Sequence, residues 1–246
     1  MALDHYSFSS LSLFDTCPYA FYLEKIEGVD VADNAFAQHG SLCHKLLEEW
    51  SKGLLKKEDL PEEFENRFRA HVTASFPAFM SGGNHKAVVF EKGKKYFEQF
   101  DQFAGYKIIS AEQEFETDIA DRKFVGFIDL IMQDANGNAI ICDHKSKSLS
   151  TFKKIEKEMY RQQYLYSKPY YEHFGEYPKY LMFNLFQENL QVMKEFKKED
   201  YEEALKWAED TIHKIESSGI LDFLITKEKK DMYCKSICSV RNHCNK

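Results

Sequence analysis

Residues 106–148 constrain the fold most, because three strand-like apolar segments follow one another there. They are YKIISAEQEFETDI (106–119), KFVGFIDLIMQD (123–134) and NAIICDHKSKS (138–148), rich in Ile, Val and Phe with near-alternating polar residues. The sequence DANGN (134–138) between the last two is a hairpin turn signal. We therefore predict three consecutive antiparallel strands.

The other apolar patterns mostly have helical spacing. Helices are predicted over 6–27 with a break at Pro18, 39–53, 58–104 with a break near 75–84, 152–175 and 198–217. Two further strands are expected within 178–196. Strands and helices in this order predict an α/β fold, with a mixed central sheet flanked by helices.

Composition indicates one folded domain. The chain has 246 residues, 43% of them hydrophobic and 15% aromatic, which is enough for one sizeable core and argues against disorder. No internal repeat or low-complexity linker divides it. We therefore expect a single domain over 1–246, with a helical insertion at about 53–104.

Composition also limits the location and the partners. No run reaches the roughly 18 apolar residues of a membrane span, and the N-terminus has no secretory signal pattern. A cytoplasmic protein without membrane contact is expected. The net charge of −7 argues against non-specific coating of nucleic acid. It remains compatible with a metal-dependent nuclease, whose site is acidic.

Asp129, Asp143 and Lys145 are the strongest candidates for chemistry. A hairpin joins the strands of the two aspartates, so their carboxylates can meet at adjacent strand ends. Two such carboxylates repel unless a cation lies between them, and oxygen ligands suit Mg²⁺ or Mn²⁺. The strand period places Lys145 beside Asp143 and His144 on the opposite face. A salt-bridged pair at a strand end is the plainer interpretation of these charges.

Four other residues are weaker candidates when taken singly. His44 lies on the apolar side of its predicted helix, where a histidine is usually a core residue. Glu112 lies on the strand next to that of Asp129 and could point into the same cleft, or be an ordinary exposed carboxylate. Gln162 and Tyr166 are one helical turn apart and face the same way.

The cysteines divide into two groups. Cys234, Cys238 and Cys244 are clustered with the spacing C-x3-C-x5-C in a basic tail at about 227–246, and Cys17 is the obvious fourth ligand. Four thiolates suit either an iron–sulfur cluster or structural zinc. Two further cysteines, Cys43 and Cys142, lie in apolar stretches and are predicted to be core residues.

Taken together and in this order, the motifs resemble the RecB-type branch of the PD-(D/E)xK nuclease superfamily. The resemblance extends to AddB nuclease domains and to the four-cysteine CRISPR-associated exonucleases. The matching stretches, from about residue 6 to 244, are YSFSSLSLFDTCPYAFYL, HGSLCH, EQEF, FVGFIDLI, CDHKS, RQQYLY and the terminal cysteines.

The resemblance implies a role for each candidate and a restriction-endonuclease-like core. His44, Asp129 and Asp143 would ligate Mg²⁺ or Mn²⁺ with the carbonyl of His144, and Lys145 would position the attacking water. Gln162 and Tyr166 would contact DNA or steady the site, and Glu112 would be a supporting carboxylate. The cysteines at 17, 234, 238 and 244 would hold a [4Fe–4S] cluster that joins the two ends of the chain, with zinc as the alternative.

The expected function is therefore that of a metal-dependent DNA exonuclease acting on DNA ends or single-stranded tails, in recombination, repair or end processing. The alternative is a non-catalytic DNA-binding module or a structural subunit of a helicase–nuclease complex. The sequence has no Walker A stretch, so we expect any helicase to be another polypeptide.

Overall fold

A five-stranded mixed sheet forms the centre of the computed structural model, which describes residues 2–76, 85–224 and 231–244. The strands are β1 (Lys107–Ile119), β2 (Arg122–Gln133), β3 (Ala139–Lys145), β4 (Tyr180–Leu185) and β5 (Leu190–Glu195). They lie side by side in chain order, and all neighbouring pairs are antiparallel except β3 and β4. The α/β class, the mixed sheet and the three consecutive antiparallel strands are confirmed.

The turn between β2 and β3 has the chemistry that its sequence predicts. The Asp134 carboxylate accepts hydrogen bonds from the backbone N–H groups of Asn136 and Asn138, both at 2.9 Å. Gly137 has φ +81°, a left-handed conformation that glycine adopts without steric cost. This turn fixes the register in which β2 and β3 pair.

Helices cover both faces of the sheet. They are α1 (Phe8–Thr16), α2 (Pro18–Phe21), α3 (Ala35–Ser51), α4 (Leu60–His71), α5 (His85–Glu98), α6 (Leu149–Lys154), α7 (Glu156–Phe174), α8 (Lys198–Ser217), α9 (Ile220–Phe223) and α10 (Asp231–Ser236). A π-helical turn (Tyr22–Ile26) follows α2, and a 3₁₀ turn (Lys57–Asp59) precedes α4.

Several helix bounds differ from the predicted ones for local reasons. The chain restarts at Pro18 as expected, but α3 begins at Ala35, because the Asn34 side chain accepts a hydrogen bond from the N–H of Ala37 at 3.0 Å. The single helix predicted over 152–175 is two helices, α6 and α7, separated at Ile155. Most of the break predicted near 75–84 lies outside the described residues.

Two apolar cores lie on opposite faces of the sheet. Ile141 and Phe183 belong to the core that includes α1, α7 and α8, whereas Ile140 and Met182 belong to the core that includes α3, α4 and α5. Neighbouring residues of a strand thus alternate between the two cores, as the strand period requires. A strand that is covered on both faces reads as a continuous apolar run, which explains the sequence of β3.

The two ends of the chain meet at one side of the sheet. The N–H of Ala32 donates to the carbonyl of Ser239 at 2.6 Å, and the Arg241 guanidinium donates to the carbonyl of Ala32 at 3.1 Å. The small apolar cluster beneath these contacts includes Leu23 and Val240. None of the helices within the described residues is long and apolar enough to span a membrane. The single-domain assignment and its helical insertion stay predictions.

Candidate active site

The candidate site lies where β3 separates from β2. Their ladder ends at the pair Leu130 and Cys142, so Asp129, just before Leu130, and Asp143, just after Cys142, are the first residues beyond it. The Asp129 carboxylate enters the opening and accepts a hydrogen bond from the backbone N–H of His144 at 2.7 Å. Because β3 continues beside β4 as far as Lys145, its end stays rigid.

Three donor atoms from three different elements converge in this opening. His44 on α3 places Nδ1 3.4 Å from Oδ2 of Asp129. One ligand atom each of His44, Glu112 and Asp129 lies within 4.8 Å of the others. A nitrogen and two carboxylate oxygens at this spacing can hold a divalent cation.

Glu112 occupies an unusual backbone position. It lies between the pairs Ala111–Leu130 and Gln113–Ile128, and therefore opposite Asp129. Its φ is +49°, a left-handed conformation that costs a non-glycine residue on the order of 1–3 kcal/mol. The sequence suggested only a supporting role for Glu112. The structure places its carboxylate together with His44 and Asp129.

Asp143 and Lys145 form a close ion pair beside these donors. Nζ of Lys145 lies 2.6 Å from Oδ2 of Asp143, which is 4% exposed. The ion pair compensates the charge of this buried carboxylate. Asp143 is outside the group of three converging donors.

His144 faces away from Asp143 and Lys145, as the strand period predicts. Its Nδ1 lies 3.1 Å from Nδ2 of Asn184, and the same amide nitrogen donates to the Tyr96 hydroxyl at 2.7 Å. Its ring also packs edge-on against the His44 ring, with the centroids 5.6 Å apart. The buried side chain of His144 thus anchors a backbone segment whose N–H holds Asp129. Sequence reasoning missed Asn184 and Tyr96, because no motif marks them.

The name α7 wall is used here for Gln162 and Tyr166, which lie one turn apart on α7. Burial, and then the charges of Asp143 and Asp129, raise the pKa of Tyr166, so its hydroxyl lies near the opening. The Gln162 amide donates to the Tyr166 hydroxyl at 3.1 Å. Tyr166 is 7% exposed and lies over Gly126 of β2, where a Cβ would be 3.1 Å from the tyrosine hydroxyl. The same Cβ would lie 2.7 Å from the Phe115 ring, so a larger residue at position 126 would displace side chains here.

Burial and mutual repulsion dominate the electrostatics. Burial, and then the charge of Asp129, raise the pKa of Glu112 to about 7. Burial, and then the charge of Asp143, also raise the pKa of Asp129. Burial, and then the charge of Lys145, lower the pKa of His44. Without a cation, these shifts favour the protonated form of the two carboxyl groups and the neutral form of the imidazole. A bound divalent cation would favour the ionised carboxylates instead.

The four cysteines proposed as ligands lie near one another at the meeting point of the two chain ends. Cys17 and Cys238 both contribute to the small apolar cluster there. Burial raises the pKa of the Cys238 thiol, and the other three, Cys17, Cys234 and Cys244, raise it further. In the described part of the chain, no three thiol sulfurs lie within 4.8 Å of one another.

The remaining two cysteines are core residues, as predicted. Cys43 and Cys142 are fully buried in the core beside α3, and neither forms a disulfide. The Cys43 thiol lies 3.5 Å from Nε2 of His39, which is likewise fully buried. Of the two histidines of α3, His39 is thus buried in the core, whereas the ring of His44 reaches the opening.

Comparison with known proteins agrees with this geometry. The crystal structure of a “Putative exonuclease” from Eubacterium rectale superposes with a TM-score of 0.56 at 13% identity, over 99% of this chain and 88% of that one. Among curated protein sequences there is no match. Residues 5–245 match the family model of the PD-(D/E)XK nuclease superfamily. A match over almost the whole chain, with a five-stranded mixed sheet and acidic residues where two strands part, establishes that this protein belongs to the PD-(D/E)XK nuclease superfamily.

Proposed function

We propose that the protein is a DNA exonuclease that hydrolyses phosphodiester bonds and depends on a divalent metal ion. The observation that carries this proposal is the convergence of His44, Glu112 and Asp129 beside the Asp143–Lys145 pair. Membership of the superfamily supports nuclease chemistry. The name of the Eubacterium rectale protein, which shares the fold, favours exonuclease action.

The donor set fits Mg²⁺ or Mn²⁺. Carboxylate oxygens suit both ions, and one imidazole nitrogen is acceptable to Mn²⁺ in particular. Asp143, which adjoins Asp129 just beyond the end of the β2–β3 ladder, and the carbonyl of His144 would complete the ligand set with the three converging donors. When bound, such an ion polarises the phosphoryl group and makes a water molecule more acidic.

Lys145 is the cation placed to act on the phosphate. Its ammonium group lies 2.6 Å from Asp143 and is partly exposed to the opening. From there it orients the attacking water and stabilises the negative charge that grows on the phosphoryl oxygens. Gln162 and Tyr166 hold each other in place and line the path of the DNA.

The same proposal includes a [4Fe–4S] cluster held by Cys17, Cys234, Cys238 and Cys244. A zinc ion brings four sulfurs to about 2.3 Å from one centre, so they would crowd together. A cubane cluster binds each thiolate to a different iron atom and keeps the sulfurs further apart. The proximity of Cys17, Cys234 and Cys244 to Cys238 supports a shared four-thiolate site, with zinc as the alternative to the cluster.

In the cell, this activity suits the processing of DNA ends or single-stranded tails during recombination or repair. A helicase, if it takes part, would be a partner protein. The cytoplasmic location predicted from the sequence stays part of this proposal.

The test is degradation of end-labelled single- and double-stranded DNA with Mg²⁺ or Mn²⁺, on protein purified without oxygen. Lys145→Ala is expected to abolish digestion, whereas Lys206→Ala, which removes an exposed lysine of α8, is expected to digest like the wild type. Digestion that proceeds equally in Lys145→Ala, or none by the folded wild type, would contradict the proposal. The non-catalytic DNA-binding or structural role would then replace it.

A further inference from the structure

Lys147 is a half-buried lysine two residues beyond Lys145. Between them, Ser146 faces α3, because a Cβ on Gly40 of that helix would lie 3.5 Å from the serine hydroxyl. Side chains alternate along an extended segment. Lys145 is therefore directed to the other side, where it meets Asp143, and Lys147 lies near enough to Lys145 for the two charges to repel each other.

The segment that carries Lys147 is fixed at both ends. Before it, β3 is paired with β4 as far as Lys145. After it, the Ser148 hydroxyl accepts a hydrogen bond from the N–H of Thr151 at 3.3 Å and starts α6, whose Phe152 is buried in the core. Lys147 thus lies on a short segment between two anchored points, beside the site.

Lys147 differs from its neighbours in its charge environment. No carboxylate within the described residues forms an ion pair with it, whereas Lys145 is paired with Asp143 and Lys168 with Glu172. Burial, and then repulsion from Lys145, lower the pKa of Lys147. A half-buried cation beside another cation is unfavourable, and an external anion would relieve it.

Lys145 and Lys147 are close enough in the chain to meet one nucleic-acid strand. The Cα atoms of residues two apart are separated by at most about 7 Å, which is close to the separation of consecutive phosphates along an extended polynucleotide. If Lys145 acts at the phosphate that is cleaved, Lys147 is then in reach of the neighbouring one.

We propose that Lys147 binds the phosphate adjacent to the scissile phosphate, so that the site takes a strand with at least two consecutive phosphates. This inference rests on the proposed nuclease function and adds a phosphate subsite to it. Lys147 contributes to the binding of the polynucleotide, whereas Lys145 contributes to the chemical step.

The test uses single-stranded oligonucleotides in which one neutral methylphosphonate linkage is moved along the strand, one position at a time. Their Kd is measured by fluorescence anisotropy in Ca²⁺ for wild type, Lys147→Gln and Lys147→Arg. Lys153→Gln, at an exposed lysine of the adjoining α6, is the matched control. Circular dichroism melting checks that all four proteins are folded.

We expect Lys147→Gln to weaken binding of the unmodified strand about tenfold and to make the slope of log K against log salt shallower by about 0.7. Lys147→Arg, which keeps the charge, should stay near the wild type, as should the control. In the wild type, a neutral linkage at one position should weaken binding, whereas in Lys147→Gln the same linkage should leave the Kd unchanged. Such non-additivity would show that Lys147 contacts the phosphate at that position.

Equal sensitivity of wild type and Lys147→Gln to every neutral linkage, or an unchanged salt slope, would overturn the inference. Digestion in Mn²⁺ by the same samples tests the nuclease function separately. Position-dependent binding through Lys147 without any digestion would retain the subsite and refute the nuclease. Digestion without a Lys147 effect on binding would refute the subsite alone.

Discussion

The acidic opening and the cysteine group are both candidate metal sites, but the fold prepares them differently. In the opening, α3, β1 and β2 each supply one donor, and the donors already lie within 4.8 Å. The cysteines come from the two ends of the chain, and the thiols influence one another without converging to that distance. The central sheet and α3 build the acidic opening, whereas the cysteine group joins the N-terminal and C-terminal segments.

This difference predicts that activity depends on metal in the acidic opening, whereas folding stability depends on the group bound by the cysteines. Removal of metal from the acidic opening should leave the fold intact, because the two cores already hold its three elements. Loss of the cysteine-bound group should loosen the contact between the chain ends, because a metal bound only by the folded state contributes its binding free energy to folding. Activity should therefore report on the first site and stability on the second.

The largest expected effect is on activity in the acidic opening. Asp129→Asn should lower the rate of DNA digestion by about 10³-fold, a loss similar to that caused by removing one charge-stabilising group from an active site. It should not lower the melting temperature of the metal-free protein, since the removed carboxyl group is buried and its pKa is raised. The exposed Asp118→Asn on β1 is the control, and equal losses in both variants would contradict the assignment.

The second effect is on stability at the cysteine group. Cys17→Ser should abolish the broad visible absorbance of an iron–sulfur cluster and lower the melting temperature by about 10 °C, equivalent to roughly 3 kcal/mol. Cys142→Ser is the control for absorbance, because Cys142 belongs to the core and not to the four thiols. A colourless wild type that contains one zinc per chain would exclude the cluster in favour of zinc.

The third effect is a pH dependence of the metal-free protein. The pKa of Glu112 in the folded state is about 7, above its ordinary value near 4.5, so the folded protein binds more protons between these pH values. The stability from Glu112 is present below pH about 4.5 and is lost as pH rises through about 7. Urea unfolding should therefore show a decline in stability from pH 5 to pH 8 that is smaller in Glu112→Gln.

Addition of metal gives a second test of the Glu112 carboxyl group. At pH 8, Mn²⁺ should stabilise the wild type and have a weaker effect on Glu112→Gln, because the cation favours the ionised carboxylate. Glu114→Gln, at an exposed position two residues further along β1, is the matched control. A wild type whose stability is independent of pH over this range would show that Glu112 is not buried as described.

The smallest effect concerns the α7 wall. Gly126→Ala would place a Cβ 2.7 Å from the Phe115 ring and 3.1 Å from the Tyr166 hydroxyl, and should cost about 1–3 kcal/mol by displacing those rings. Gly40→Ala meets Ser146 at an ordinary 3.5 Å and should stabilise α3 by up to about 1 kcal/mol. Thermal melting of the two variants decides this, and equal shifts would contradict the packing described at Gly126.

Some of the site could be predicted from sequence because the relevant signals are local. The turn at 134–138 places Asp129 and Asp143 on neighbouring strands, and the strand period places Lys145 beside Asp143. Glu112 was only a weak candidate, because its donor position depends on a left-handed backbone that its residue type does not suggest. Asn184 reaches His144, and Tyr96 reaches Asn184, from distant elements, and neither residue carries a sequence signal.

The sequence by itself determined the α/β class, the three antiparallel strands and the order of the candidate residues, because periodicity and turn chemistry act over a few residues. Only the tertiary structure decided that β3 leaves β2 after Leu130 and Cys142, that β4 pairs with β3 in parallel, and that His44 and Glu112 point into the opening. These features depend on the packing of α3 and α7 on opposite faces of one sheet. Such long-range packing is set by the whole core and not by any one segment.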